Sequence, residues 1–413
     1  MKIVHISTTD WSGGAAIAAN RIVNAQQNLT ELKSGLFVQY QRQKIKYIHS
    51  DSDSKFKNIV RTFNKFADEF TIRLLSVQSR GRFTFPYFGE DISQIDIIKD
   101  ADILNLHWIN GGFLSLKSLE KIAKMNKPIL WTLHDMWAFT GGCHYTSGCI
   151  KFQDHCSNCP SLFFKSDKDA SYRIFDQKLE LFDQLNLTVV TCSNWLAQEA
   201  LKSRLFRLKN IFCIPNPIQI EQFKPLDKIK TRESLKLPIG KKLILIGAMN
   251  LKDERKGFRF LIEALDTLKN IDFELIVFGK LDKNIIQKIP VKIHQLGKLK
   301  NEAEIVMAYN AADVYAAPSL QDNLPNTVME SMACGVPVVA FNVGGISDMV
   351  DDGVNGILAE PRSSKKLSNG IKLLLNDDNL RENFSGKARD KVVNNFDEKI
   401  VAEKYFEVYK SLL

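Results

Sequence analysis

Two carboxylates and a helix start carry the chemistry that stands out in this 413-residue chain. They lie in SLQDNLPNTVMESMACGVPVVAFNVGGISDMV, Ser319–Val350. Asp322 falls in a loop and Glu330 on the helix that follows it. Pro325 and Asn326 suit the helix start, since proline lacks an amide that would go unsatisfied there and asparagine can cap. Val328, Met329 and Met332 give the helix an apolar side, Gly335 sits where a left-handed C-terminal turn is wanted, and Pro337 stops it. VPVVAF then reads as a buried strand. The start of a helix binds anions, and carboxylates accept hydrogen bonds from sugar hydroxyls. A phosphate site beside polyol acceptors describes a nucleotide sugar; the plainer reading is a helix start with incidental acids.

Two cations point the same way. KKLILIGA reads as a strand, and Arg255 and Lys256 precede the helix expected over Gly257–Leu268. Cations at a helix start oppose its dipole unless an anion is bound, and such local conflicts mark functional sites. ADILNLHW and KPILWTLHD read as two buried strands, each ending in a histidine, His107 and His134. Open α/β sheets bind ligands at that carboxyl edge. A neutral imidazole there hydrogen-bonds a sugar hydroxyl or steadies charge as a bond breaks.

Cys143, Cys149, Cys156 and Cys159 fall within seventeen residues, and Cys156-x-x-Cys159 has metal-ligand spacing. In a reducing compartment, clustered thiols suggest a structural zinc that staples a loop of little apolar content. His144 and His155 are alternative ligands; reduced thiols or a redox pair are the other readings. Cys192, Cys213 and Cys334 lie in apolar segments and are expected in the core.

The elements needed to position these groups are strand-turn-helix units. MKIVHIS is a first parallel strand, Gly13 and Gly14 a turn, and Ala15–Ala25 a helix. No GxGxxG follows, so a dinucleotide site is not implied. LTVVTCSNWLAQEAL is a strand and then a helix capped near Ser193 or Asn194. IFCIPNPIQIEQFKP is a proline-punctuated connection, placing a domain boundary near Ile218. Both halves share this grammar, which implies two similar sheets. SKFKNIVRTFNKFADEFTIRLL spaces Phe56, Ile59, Val60, Phe63, Phe66 and Phe70 as one helical face, with Lys57, Arg61 and Lys65 on another and Arg73, Arg80 and Arg82 beyond. The expected arrangement packs the phenylalanine stripe on the sheet; the alternative lays a basic amphipathic helix on an anionic membrane surface.

The Ser319–Val350 run resembles the donor-binding signature of the retaining glycosyltransferases of family four: Glu, seven residues, Glu, an Ala-rich turn and Gly-x-Pro-Val. Asp322 stands at the first Glu, Glu330 at the second, and ACGVPVVA matches the tail. The resemblance is dense over Gly247–Glu360. The HDMW and cysteine region looks like the members acting on bacterial surface polysaccharide. It implies an α/β chain of the GT-B fold, two Rossmann-like domains facing across a cleft. Residues 1–217 would be the acceptor-side domain with the cysteine insert 143–159, residues 218–396 the nucleotide-sugar domain, and 397–413 a helix crossing back.

By the same resemblance Lys256 holds the donor diphosphate, with the free amides around Asn323, Leu324, Pro325, Asn326 and Thr327. Proline contributes no amide of its own. Arg255 substitutes for the family's usual Arg, since Ala248 follows Gly247. Glu330 takes the ribose hydroxyls, and Asp322, shorter than the usual Glu, the sugar. His134 stands beside the donor sugar, Gly279 near the base, Asn216 in the cleft, and Gly13 and Gly14 where backbone approaches phosphate. The implied reaction transfers a sugar from a UDP- or GDP-sugar to a glycan or lipid-linked glycan, with retention and no catalytic metal. A nucleotide-sugar epimerase of the same fold, or a non-catalytic nucleotide-sugar binder, are the alternatives.

Composition is that of a globular protein, 45% hydrophobic and 25% charged. No apolar run reaches a membrane span, and MKIVHIS turns polar too soon for a signal peptide. A cytoplasmic protein is expected, peripheral on the inner membrane face if its basic helix meets lipid. The net charge of +9 allows a polyanionic partner, but no aromatic-basic RNA motif appears, so nucleic acid is not expected.

Overall fold

The computed structural model describes residues 1–51, 55–77, 81–250, 253–280 and 287–413; Arg80 lies outside them. The chain divides into two compact units, Met1–Pro217 with Val401–Leu413, and Ile218–Ile400.

The first unit is built on seven parallel strands: β1 Lys2–Thr9, β2 Lys33–Tyr40, β3 Ile48–His49, β4 Ile103–Leu106, β5 Ile129–Leu133, β6 Leu187–Thr191 and β7 Ile211–Cys213, in the order β3-β2-β1-β4-β5-β6-β7. Strands β4, β5 and β6 are buried along their whole length, as expected where helices cover both faces of a parallel sheet. The Gly14–Gln26 helix presents small residues, Ala16, Ala18 and Ala19, to the core. Ser193 caps the Asn194–Lys202 helix by accepting from the amide of Leu196. The last helix, Glu398–Lys410, buries Val401, Tyr405, Val408 and Tyr409 with Ile3, Ile103, Leu130 and Val190 of the sheet.

The second unit repeats the plan with β8 Lys242–Asn250, β9 Phe273–Lys280, β10 Ile293–Gly297, β11 Val314–Ala317, β12 Val338–Phe341 and β13 Gly356–Ala359, ordered β10-β9-β8-β11-β12-β13. All its pairings are parallel. In both sheets the strand order reverses direction beside the first strand, between β1 and β4 and between β8 and β11. Open α/β sheets hold ligands beyond the carboxyl ends of strands at such a point.

Two expectations are overturned. The Lys55–Leu75 helix does not pack its apolar stripe on the sheet. Ile59, Phe63, Phe66, Phe70 and Leu74 are 56–67% exposed, whereas Arg61, Asn64 and Asp68 are buried. The inward face is satisfied by partners distant in sequence. Arg61 Nε donates to both carboxylate oxygens of Glu90 at 2.9 Å. Gly112 lies so close beneath the helix that a Cβ there would come within 2.6 Å of the Asn64 backbone. Cys213 is exposed rather than in the core, because it ends edge strand β7; Cys192 and Cys334 are buried as expected.

Candidate active site

The second unit brings Arg255, Lys256 and Asp322 together. After β8, Asp253 accepts from the amide of Arg255 at 3.0 Å and shapes a single turn, Glu254–Lys256. Gly257 ends it with φ 64°, and a Cβ there would lie 1.9 Å from the Pro318 carbonyl. Only glycine lets the chain pass so near the loop leaving β11. Leu320 N–H donates to the Arg255 carbonyl at 2.7 Å, tying the two loops together. The helix that follows runs from Phe258 to Asp266, shorter than its sequence suggested.

Lys256 Nζ lies 2.6 Å from Asp322 Oδ2, and Arg255 Nη1 3.8 Å from Oδ1. Arg255 also donates to the Gln321 carbonyl at 3.1 Å and to Asp253 Oδ2 at 3.0 Å. Ser319 Oγ donates to Asp322 Oδ2 at 3.3 Å. Burial raises the affinity of Asp322 for a proton, but Lys256 and Arg255 outweigh it and hold the carboxyl below the usual range. On its other side, a Cβ at Gly344 would lie 1.8 Å from the Asp322 carbonyl, which accepts from Gly345 N–H at 3.2 Å. Asp322 is therefore held by backbone as well as by charge.

The next helix spans Asn326–Ala333. Pro325 is its N-cap and no side chain caps it, so Asn326 opens the helix and does not cap it. Gly335 adopts the left-handed turn at its end, φ 70°. Asn323, Leu324 and Pro325 are buried, and Asn326 and Thr327 half-buried. Glu330, buried on this helix, accepts from the Tyr309 hydroxyl at 3.1 Å. Gly279, φ 105°, lies near the end of β9.

In the first unit, Gly13 caps the opening helix with φ 93° and Gly14 begins it. His134, just past β5, is the outer member of a stacked row of imidazoles. Its Nε2 is 3.0 Å from His107 Nδ1, and His107 Nε2 is 2.8 Å from His5 Nδ1. His134 Nδ1 lies 3.6 Å from Cys192 Sγ. Burial lowers His5 and His134 to about 4 and His107 well below its ordinary value, so the row is neutral near pH 7. His5, Gln26 and Tyr409, which complete the row's inner end, were not singled out from sequence. The available signal was a histidine in the middle of a strand otherwise fit for the core.

Asp135, beside His134, takes His144. Asp135 Oδ2 accepts from His144 Nδ1–H at 2.7 Å, and His144 Nε2 accepts from Thr84 Oγ1–H at 2.9 Å. Both ring nitrogens are thus committed, which removes His144 from the candidate metal ligands. His155 is turned to the Cys156 carbonyl, 2.9 Å away. Cys143 and Cys159 hydrogen-bond, which raises Cys143 and lowers Cys159 to about 7. Gly141 N–H donates to Cys156 Sγ at 3.2 Å. Cys156 and Cys149 lie near enough to raise Cys143 further. Among the described residues, however, no three His, Cys, Asp or Glu side chains are set as a metal-binding group.

Comparison with known proteins fits this geometry. Residues 227–391, which hold Lys256, Asp322 and Glu330, match the family described as glycosyl transferases group 1. Over that segment the chain is similar to the group 1 glycosyltransferases. The capsular polysaccharide biosynthesis glycosyltransferase CapM of Staphylococcus aureus is 27% identical over 236 residues, 54% of this chain and 62% of its own. The N,N'-diacetylbacillosaminyl-diphospho-undecaprenol alpha-1,3-N-acetylgalactosaminyltransferase of Campylobacter jejuni is 30% identical over 121 residues, 29% of this chain and 31% of its own. The chain spans less than two thirds of the length of these relatives. Among solved structures, Anabaena HepE in complex with UDP-glucose superposes with a TM-score of 0.66 at 17% identity, covering 100% of both chains. The fold is that of GT-B glycosyltransferases.

Proposed function

We propose that this chain is a glycosyltransferase that moves a sugar from a nucleoside-diphosphate donor to a hydroxyl of a glycan or lipid-linked glycan in polysaccharide synthesis, with retention of configuration. The observation that carries the reading is the convergence of Lys256 and Arg255 on Asp322 at the switch point of the second sheet. Cations held there before the donor arrives stabilise the leaving diphosphate without reorganising during the reaction. Asp322 keeps both cations aimed and offers its carboxylate to the sugar; Glu330 takes the ribose hydroxyls. Retention, and a reaction that needs no catalytic metal, come from the sequence resemblance. UDP-glucose bound by HepE favours a UDP-sugar, with a GDP-sugar the next to try. A lipid-linked acceptor is favoured by the Campylobacter relative, whose name specifies an undecaprenyl diphosphate-linked sugar.

Thermal-shift screening of UDP-, GDP- and ADP-sugars identifies the donor, since a ligand that binds only the native state stabilises it. With that donor, Lys256→Ala and Glu330→Ala each lower kcat/KM by well over tenfold, about 1.4 kcal/mol per decade. Near-normal activity in both removes these roles. Donor turnover with no acceptor present would favour the epimerase reading instead.

Two further elements belong to the proposal. The exposed face of the Lys55–Leu75 helix seats the protein on an anionic lipid surface. Contiguous apolar patches of this kind mark interaction sites. Exposed Lys65 and Arg73 flank the stripe, and exposed Phe163, Phe164 and Lys165 extend it, Phe163 N–H donating to the Leu75 carbonyl at 3.0 Å. A membrane is where a lipid-linked acceptor would be met. The four clustered thiols bind a structural zinc. In support, the Lys178 ammonium is fully buried against the insert, donating to the Thr140 carbonyl at 2.9 Å and to that of Trp137. No carboxylate lies within ion-pair distance of it among the described residues. Burial lowers Lys178 to about 7, and a zinc tetrathiolate, net −2, would hold it charged.

A further inference from the structure

The row His5–His107–His134 obliges its members to share one sense. The rings stack with centroids 5.1 and 5.3 Å apart and planes tilted by 19° and 22°. Each link joins two neutral imidazoles, so one nitrogen must bring the proton and the other the lone pair. A neutral ring has one of each. If His5 Nδ1 accepts, His107 Nε2 donates; His107 Nδ1 then accepts, and His134 Nε2 donates. Reversing any one link reverses both. The row therefore has two self-consistent states, and whatever fixes one end fixes the other.

The inner end is fixed by Gln26. Its Oε1 lies 3.0 Å from His5 Nε2 and also accepts from Ser34 Oγ at 2.7 Å. Its amide nitrogen donates to the Tyr409 hydroxyl at 3.3 Å, and Asn105 donates to the same hydroxyl at 2.9 Å. The Tyr409 hydroxyl oxygen also lies 3.2 Å from His5 Nε2; since it already takes two amide donors and the Gln26 carbonyl oxygen is nearer, His5 Nε2 carries the proton. The opposite state requires the Gln26 amide to turn over, placing its NH2 against His5 and Ser34 and its oxygen against Tyr409. His5 and Gln26 are fully buried, so no solvent stands ready to satisfy a mixed arrangement.

We infer that Gln26, acting through His5 and His107, determines which nitrogen of His134 is protonated: Nε2 carries the hydrogen and Nδ1 presents a lone pair. Gln26 is in this sense a positioning residue for a histidine two imidazoles away. The consequence lies at Nδ1, which is 3.6 Å from Cys192 Sγ. In the state set by Gln26 it accepts a hydrogen bond from a hydroxyl; in the reversed state it could only donate one. That this matters for sugar transfer rests on the role proposed above for His134. The tautomer itself does not.

The test is long-range 1H–15N correlation spectroscopy of the full chain with labelled histidine, near pH 7 and without substrate. His134 is assigned by loss of its signals in His134→Asn. The expected spectrum shows a protonated, pyrrole-like Nε2 and a bare, pyridine-like Nδ1 for His134, with the same pattern in His107 and His5. Gln26→Glu, which keeps an acceptor oxygen opposite His5 Nε2, keeps that pattern. Gln26→Met removes the oxygen, and the two 15N positions of His134 move toward averaging or exchange places. A wild-type His134 that is already averaged or reversed overturns the inference without recourse to any variant. So does a Gln26→Met spectrum identical to wild type. Kinetics supply a second readout. If His134 meets the donor sugar, Gln26→Met lowers kcat and alters its pH profile more than KM, and Gln26→Glu restores it. A tautomer change with unchanged kinetics would leave the inference standing and remove His134 from the reaction.

Discussion

His134 was legible from sequence as a histidine at the end of a buried strand, but the row behind it was not. His5, His107 and His134 are far apart in the chain and meet only because β1, β4 and β5 are neighbours in the sheet. Their burial has a consequence for stability. His5 and His134 titrate near 4 in the folded chain against 6.5 unfolded. His107 is also lowered by burial, as is His144 against the pull of Asp135. Between these values the unfolded chain binds the extra protons, so stability is complete above about pH 6.5 and falls as the pH drops toward 4. Each unmatched proton costs about 1.4 kcal/mol per pH unit. Asp68 opposes this, because burial raises it to about 6 and the folded state then holds one proton more. Four histidines outweigh one aspartate. The melting temperature should fall steeply from pH 7 to pH 5, and less steeply in His5→Asn. A flat profile over that window would show that the imidazoles are not neutral in the folded chain.

At the level of elements, periodicity revealed the Lys55–Leu75 helix and its stripe but not which side faces inward. The arrangement turns on Glu90 and Gly112, and no local pattern records that they meet this helix. The reversal also changes which cations face outward. Arg61 is spent on Glu90 and Lys57 pairs with Asp51, leaving Lys65 and Arg73 beside the stripe. On vesicles containing phosphatidylglycerol the protein should sediment with the lipid. Phe63→Asp with Phe66→Asp should abolish this, and Lys65→Glu with Arg73→Glu should weaken it most at low salt. Binding unchanged by both pairs would discard this face. A dimer in lipid-free solution, dissolved by the phenylalanine pair, would assign it to a second copy of the chain. The cysteine insert was recognisable by spacing, yet its histidines are taken up elsewhere, His144 by Asp135 and Thr84. Elemental analysis should find about one zinc per chain, lost in Cys156→Ser with Cys159→Ser. Less than about a tenth of an equivalent in intact protein would leave a cluster of reduced thiols.

The two sheets share one strand order, and that regularity made the fold readable: each strand-turn-helix unit is local, and stacking them in parallel leaves few topologies. It also explains why the loops after β8 and β11 could be read from sequence as a pair, since they flank a switch point. The first unit, by contrast, is completed only by the last thirteen residues of the chain. Tyr405 and Tyr409 are fully buried there. Tyr405 shares a hydrogen bond with Thr132 at 3.3 Å, and Tyr409 accepts from Asn105 and Gln26. Burying a large apolar side chain contributes roughly 1.5–3 kcal/mol. Removing Val401, Tyr405, Val408 and Tyr409 together would consume most of a net stability of about 5–15 kcal/mol. A chain ending at Ile400 should therefore fail to fold its first unit, seen as lost near-ultraviolet circular dichroism and rapid proteolysis within residues 1–217. Tyr409→Phe removes only the hydroxyl and leaves two buried amide donors unmatched, a cost of about 1–3 kcal/mol. It should fold, melt lower, and still bind donor, because Lys256, Asp322 and Glu330 belong to the other unit. Native stability in the truncated chain would mean that the helix is an accessory, and would sever the link from Tyr409 to the histidine row.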